Sequence, residues 1–102
     1  MNKFLLIIAI LYGWISYSQT SHELFSEANN LYQTEEYSKA IDLYLSIEEQ
    51  GLESEDLYFN LGNCYYKLNK VAPSIYYYEK ALKINPLHQD AKTNLTFAKR
   101  MT

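Results

Sequence analysis

The chain has 102 residues, nine basic and twelve acidic side chains and a net charge of −3. That length allows one small domain with a modest core and little room for an enclosed active site, while a single arginine, Arg100, leaves no basic footprint for nucleic acid. One cysteine excludes an internal disulfide framework or a cysteine-based zinc site, and three Gly with two Pro argue for long regular elements and against a loop-rich β fold.

Met1-Asn2-Lys3 is a short positive start, followed by the apolar run Phe4 to Leu11 and then Ser16-Tyr17-Ser18, two small residues at signal-peptidase spacing. The pattern predicts a signal peptide over 1–18, cleaved after Ser18, and a periplasmic or extracellular mature protein. The apolar run falls short of the ~20 residues that cross a bilayer, which sets a retained anchor second. Export would put Cys64 in an oxidising compartment without a partner.

Sliding the sequence by 34 residues superposes 21–54 on 55–88. Phe25 meets Phe59, Asn29 meets Asn63, Tyr32 meets Tyr66, Ile41 meets Ile75 and Tyr44 meets Tyr78. A period of 34 has a physical meaning, a helix–turn–helix unit. The local signals agree. Thr20-x-x-Glu23 is a capping box opening a helix to about Thr34. A second helix follows from about Ser38 to Glu49, with Ile41, Tyr44, Leu45 and Ile47 on one face and Gly51 after its end. Ser54 caps a third helix, with Glu55 and Asp56 in its first turn, running to about Leu68, and Asn69 suits a left-handed residue beyond it. Pro73 suits the first turn of a fourth helix that carries Ile75, Tyr78, Ala81 and Leu82 and stops at Asn85-Pro86. A fifth helix, about Gln89 to Met101, has Leu95 and Ala98 as its apolar contacts. Short connections make neighbouring helices antiparallel, so the fold class is all-α.

Tyr58-x-x-Leu61-Gly62-x-x-Tyr65, with Ser74-x-x-x-Tyr78-x-x-Ala81 and Pro86, resembles the tetratricopeptide repeat (TPR) signature. The resemblance implies a TPR-type α-solenoid: a degenerate repeat over 21–54, a second repeat over 55–88, and a capping helix over 89–102. Lys92, Thr96 and Lys99 stand where the core positions of a third repeat would be. Gly62 and Ala81 are small where helices approach closely. Leu57 to Leu68, with Tyr77 to Leu82 behind a signal segment, is similar to the TPR proteins of the bacterial Bat (aerotolerance) operon. Members of that group usually continue into a membrane helix and a further domain, so this likeness implies a truncated product or a separate short TPR protein.

TPR proteins generally hold peptides on the concave face lined by their first helices. Here that face is expected to carry Phe25, Asn29, Tyr32 and Gln33 from the first unit, Phe59, Asn60, Asn63, Tyr66 and Lys67 from the second, and Asn94 and Phe97 from the cap. Amides serve a bound backbone as donor and acceptor, and rings cover apolar side chains. The plain alternative is that Asn29 and Asn63 bond neighbouring helix carbonyls. On the first reading, alanine at Asn63 and Tyr66 leaves stability nearly unchanged. The known carboxylate clamp of some TPR domains is incomplete: Phe25 takes the place of one lysine and Asp90 opposes another.

Of the remaining residues, Cys64 is expected to be a small buried apolar group, and His22 and His88 to be solvated. Glu48-Glu49 reads as a solvated helix end. In Tyr76-Tyr77-Tyr78 one ring is expected in the core and two at the surface. Asn94-Leu95-Thr96 matches a glycan acceptor only by chance, mid-helix. The sequence holds no phosphate loop, HExxH, CxxC or nucleophile elbow, so we expect a non-catalytic scaffold without metal or cofactor. Its partner is a protein or peptide, with a membrane-associated partner within that class. The alternative is an assembly protein that dimerises through the solenoid ends.

Overall fold

The computed structural model describes residues 19–102; the expected signal segment, 1–18, lies outside the described residues. Among them are five helices and no strand: α1 (Ser21–Gln33), α2 (Tyr37–Glu49), α3 (Glu55–Lys67), α4 (Val71–Ile84) and α5 (Gln89–Arg100). Each packs on the next in sequence, and α5 also touches α3. The result is an α-solenoid of two helix pairs, α1–α2 and α3–α4, followed by one further helix.

The helix ends follow from their capping residues. Thr20 Oγ1 accepts from the Glu23 N–H at 3.2 Å, and Ser54 Oγ from the Leu57 N–H at 3.1 Å. Beyond α1 and α3 the chain turns through a left-handed residue, Glu35 (φ 62°) and Asn69 (φ 59°). The same two bonds close each turn: Glu35 N to Tyr32 O and Glu36 N to Leu31 O, then Asn69 N to Tyr66 O and Lys70 N to Tyr65 O. Asparagine tolerates that conformation and glutamate is an uncommon occupant, so the first turn was not legible from its residue type. His88, expected in solvent, instead caps α5: Nδ1 accepts from the Ala91 N–H at 3.0 Å, and its ring packs 4.6 Å from that of Phe59.

The core runs along the inner sides of the pairs. Ala28, Ala40, Tyr44, Leu57, Leu61, Cys64, Tyr78 and Ala81 are fully buried. Burial pushes the Cys64 thiol up to about 12, so it stays protonated and unreactive in the folded chain. Of Tyr76-Tyr77-Tyr78, two rings are in the core and only Tyr76 is exposed. Tyr77 stacks on Tyr65 at 5.7 Å, and its hydroxyl donates to Glu48 Oε1 at 3.0 Å. Glu48 is therefore half-buried in a bridge between α2 and α4 and is no solvated end. The expected apolar contacts of α5 also shift: Ala91 and Ala98 are buried and Leu95 only partly so.

Gly62 marks the closest approach of α3 and α4. A Cβ placed on it would sit 2.6 Å from both Cδ1 and Cε1 of Tyr78, a ring with no exposed surface and nowhere to move. Gly62→Leu is therefore expected to lower stability by about 1–3 kcal/mol or more. Thermal melting followed by circular dichroism checks it: the variant melts well below the parent or does not fold.

Candidate functional site

The inner helices α1, α3 and α5 share one side of the solenoid, and amide side chains tie them together. Tyr44 of α2 donates its hydroxyl to Asn29 Oδ1 at 2.6 Å, and Asn60 Nδ2 of α3 donates to the same oxygen at 3.2 Å. One unit further on, Tyr78 of α4 donates to Asn63 Oδ1 at 2.6 Å, and Asn94 Nδ2 of α5 donates to it at 3.0 Å. Every member of the second set lies 34 residues after its counterpart. Each rung thus joins the two helices of a pair and reaches the next inner helix.

These rungs correct both sequence readings of the asparagines. Asn29 and Asn63 do not bond helix carbonyls, and their oxygens are not open to a ligand, since each already accepts two hydrogen bonds. The Tyr44 and Tyr78 rings are buried, and desolvation raises their hydroxyls above the usual phenol range, so both stay protonated donors at neutral pH.

Around the second rung lies a hollow of about 260 Å³ lined by Tyr32, Asn63, Tyr66, Lys67, Tyr78, Asn94 and Phe97. Six of these were expected on the concave face; Tyr78 was not, because it belongs to the second helix of its pair and reaches the hollow between α3 and α5. Burial also raises the Tyr32 hydroxyl, partly offset by the Asn63 amide. Lys67 is exposed, and Phe97 is 46% exposed with the Arg100 guanidinium 5.7 Å from its centroid. No acid lines this hollow.

The other five expected residues lie elsewhere. Phe25 packs edge-on against Tyr44 at 5.8 Å, and Phe59 lies against Tyr78 at 6.1 Å and His88, so both rings support the core. Asn29 and Asn60 form the first rung, and Gln33 is exposed at the last residue of α1. The asparagine–tyrosine pairs could have been found in the sequence: Asn29 precedes Tyr44, and Asn63 precedes Tyr78, by the same 15 residues.

An amide oxygen that accepts from a buried tyrosine and a part-buried asparagine is structural, so Asn63 is not freely replaceable. Asn63→Ala leaves the buried Tyr78 hydroxyl without its acceptor and is expected to cost about 1–3 kcal/mol. Urea unfolding of the variant measures it; an unchanged midpoint would remove the rung from the account.

Residues 55–87, the span of α3, α4 and the turn that follows, match the family model of the tetratricopeptide repeat. No curated protein matches the chain. With the helical architecture, the match shows the fold to be a TPR-like α-solenoid, and TPR repeats generally mediate protein–protein interaction.

Proposed function

We propose that the protein is a non-catalytic scaffold that docks a partner protein or peptide in the concave hollow, and that it works outside the cytoplasm. The observation that carries the docking reading is the hollow itself: exposed Lys67 and half-exposed Phe97 beside Tyr32 and Tyr66, on three inner helices, with amides at its base. Neither Tyr66 nor Lys67 belongs to the buried core, so they present apolar area and charge that the fold does not use. An aromatic ring at a groove centre is the usual anchor of such an interface. The Arg100 guanidinium, 5.7 Å from the Phe97 centroid, adds a second cation near the hollow. Among the described residues no three His, Cys, Asp or Glu side chains gather where they could hold a metal ion.

A selection of random displayed peptides on the immobilised full chain tests the hollow. The double substitution Tyr66→Ala with Lys67→Ala is expected to leave the chain folded: Lys67 is exposed and half-buried Tyr66 lies outside the core, so each site should move stability by about 0.5 kcal/mol. Binding of the selected peptides should weaken by about 1–3 kcal/mol. Unchanged capture by the folded double variant would place docking outside this hollow.

The extracytoplasmic location is supported by the sequence of residues 1–18, with its charged start, apolar run and small residues ending at Ser18. The expected mature protein begins at Gln19. N-terminal sequencing of protein from its native cell checks this, and an intact Met1 in the cytoplasmic fraction would end the proposal of export.

A further inference from the structure

The outer side of α4 gathers aromatic rings that the concave hollow does not use. Lys80 sends its ammonium among them: Nζ lies 4.5 Å from the centre of the Tyr58 ring, 5.1 Å from Tyr76 and 5.7 Å from Tyr77. Glu48 of α2 closes the remaining side, with Oε2 3.4 Å from Nζ while Oε1 accepts from the Tyr77 hydroxyl. Ring faces attract a cation within about 6 Å of the centroid, and a carboxylate at the same point adds a charge-assisted hydrogen bond. Three helices thus contribute to one ammonium-sized position.

The walls of this position do not depend on the lysine that fills it. Tyr58 and Tyr77 are 2% and 7% exposed and are held by the core, and Glu48 is fixed by the Tyr77 hydroxyl. Tyr76, 54% exposed, forms the outer wall. Hollows of about 430 and 420 Å³ lie beside it, and both are bounded by Tyr76, Lys80 and Lys83. The Lys80 side chain is 29% exposed, so it can swing out into either hollow without moving a helix. Once it does, the position opens onto the surface beside Ile84 and Glu53.

We propose that Tyr58, Tyr76, Tyr77 and Glu48 form a recognition site for a primary alkylammonium group, the side chain of a lysine on a partner protein, and that Lys80 fills it while no partner is bound. The carboxylate sets the ligand class, since Glu48 needs an N–H donor that a quaternary ammonium lacks. Charge agrees: Lys80 leaves with its own charge, Glu48 remains to pair with the incoming ammonium, and Glu53 beside the opening offsets Lys83. Being tethered, Lys80 competes at an effective concentration in the millimolar range, so the site takes a lysine presented on a docked surface and largely excludes free amines.

The probe is n-butylammonium, titrated into the full chain by NMR. Lys80→Ala is expected to bind it about tenfold or more tightly than the parent does, since the tethered competitor is gone. Shifts should be centred on Tyr58, Tyr76 and Tyr77. Tetramethylammonium should bind more weakly, and adding Tyr76→Ala or Glu48→Gln should abolish the gain. A folded Lys80→Ala that binds no better than the parent overturns the proposal, as does binding that survives loss of both Tyr76 and Glu48. Should Lys80→Ala not fold, the parent decides: saturating n-butylammonium must move the Lys80 Cε resonance toward that of a free lysine, and an unmoved resonance refutes the site.

Discussion

The fold hangs on a buried phenol that needs an acceptor. Tyr44 and Tyr78 each fill the centre of a helix pair with no exposed surface, and a hydroxyl placed there without a partner would cost about 1–3 kcal/mol. The only oxygen each donates to is an asparagine amide on the inner helix of its own pair, at 2.6 Å. That oxygen has a second lone pair, which takes an N–H from the asparagine of the next inner helix. One requirement, satisfying a core hydroxyl, therefore sets both the packing within a pair and the spacing between pairs. The absence of a side chain at Gly62 lets the Tyr78 ring lie close enough to α3 for the bond to form.

The same arrangement decides what the concave side offers a ligand. With the Asn29 and Asn63 oxygens occupied, recognition falls to rings, to unused amide N–H groups and to the cations at Lys67 and Arg100. The outer side is built differently. There Tyr77 of α4 stacks on Tyr65 and lies tilted against Tyr58 of α3, and Glu48 links α2 to α4 through Tyr77 and Lys80. The tyrosines thus divide between two tasks: Tyr44 and Tyr78 span the two helices of their pairs on the inside, and Tyr77 joins α4 to α2 on the other side.

Features governed by one residue's own chemistry were legible in the sequence. Ser54 and Thr20 cap, Asn69 turns left-handed, Gly62 marks a close crossing, and the 34-residue period gives the helix pairs. What escaped were contacts between elements distant in sequence. Tyr77 is buried because its ring lies against Tyr58 and Tyr65 of α3 while its hydroxyl reaches Glu48 of α2, which a single helix wheel does not display. His88 caps because its ring is held by Phe59, one unit earlier. The site residues divided in the same way. Tyr32, Tyr66, Lys67 and Phe97 reach the hollow by helical spacing alone. Asn63 and Asn94 reach it too, but in a structural role fixed by partners 15 and 31 residues away.

Each amide bond between inner helices joins a residue to another 31 positions later, and the tyrosine bond spans 15. Both spans fit within one repeat period, so a tandem copy of residues 55–88 inserted after His88 would bring its own asparagine, tyrosine and amide donor in register. Gene duplication by whole units can then lengthen the array with every buried hydroxyl still satisfied and every amide donor in register, whereas an insertion of another length at that point takes the Asn94 amide out of step with Asn63. The ladder acts as a gauge on growth: it admits integers of the repeat and rejects fractions, in keeping with the nearest-neighbour logic of solenoids.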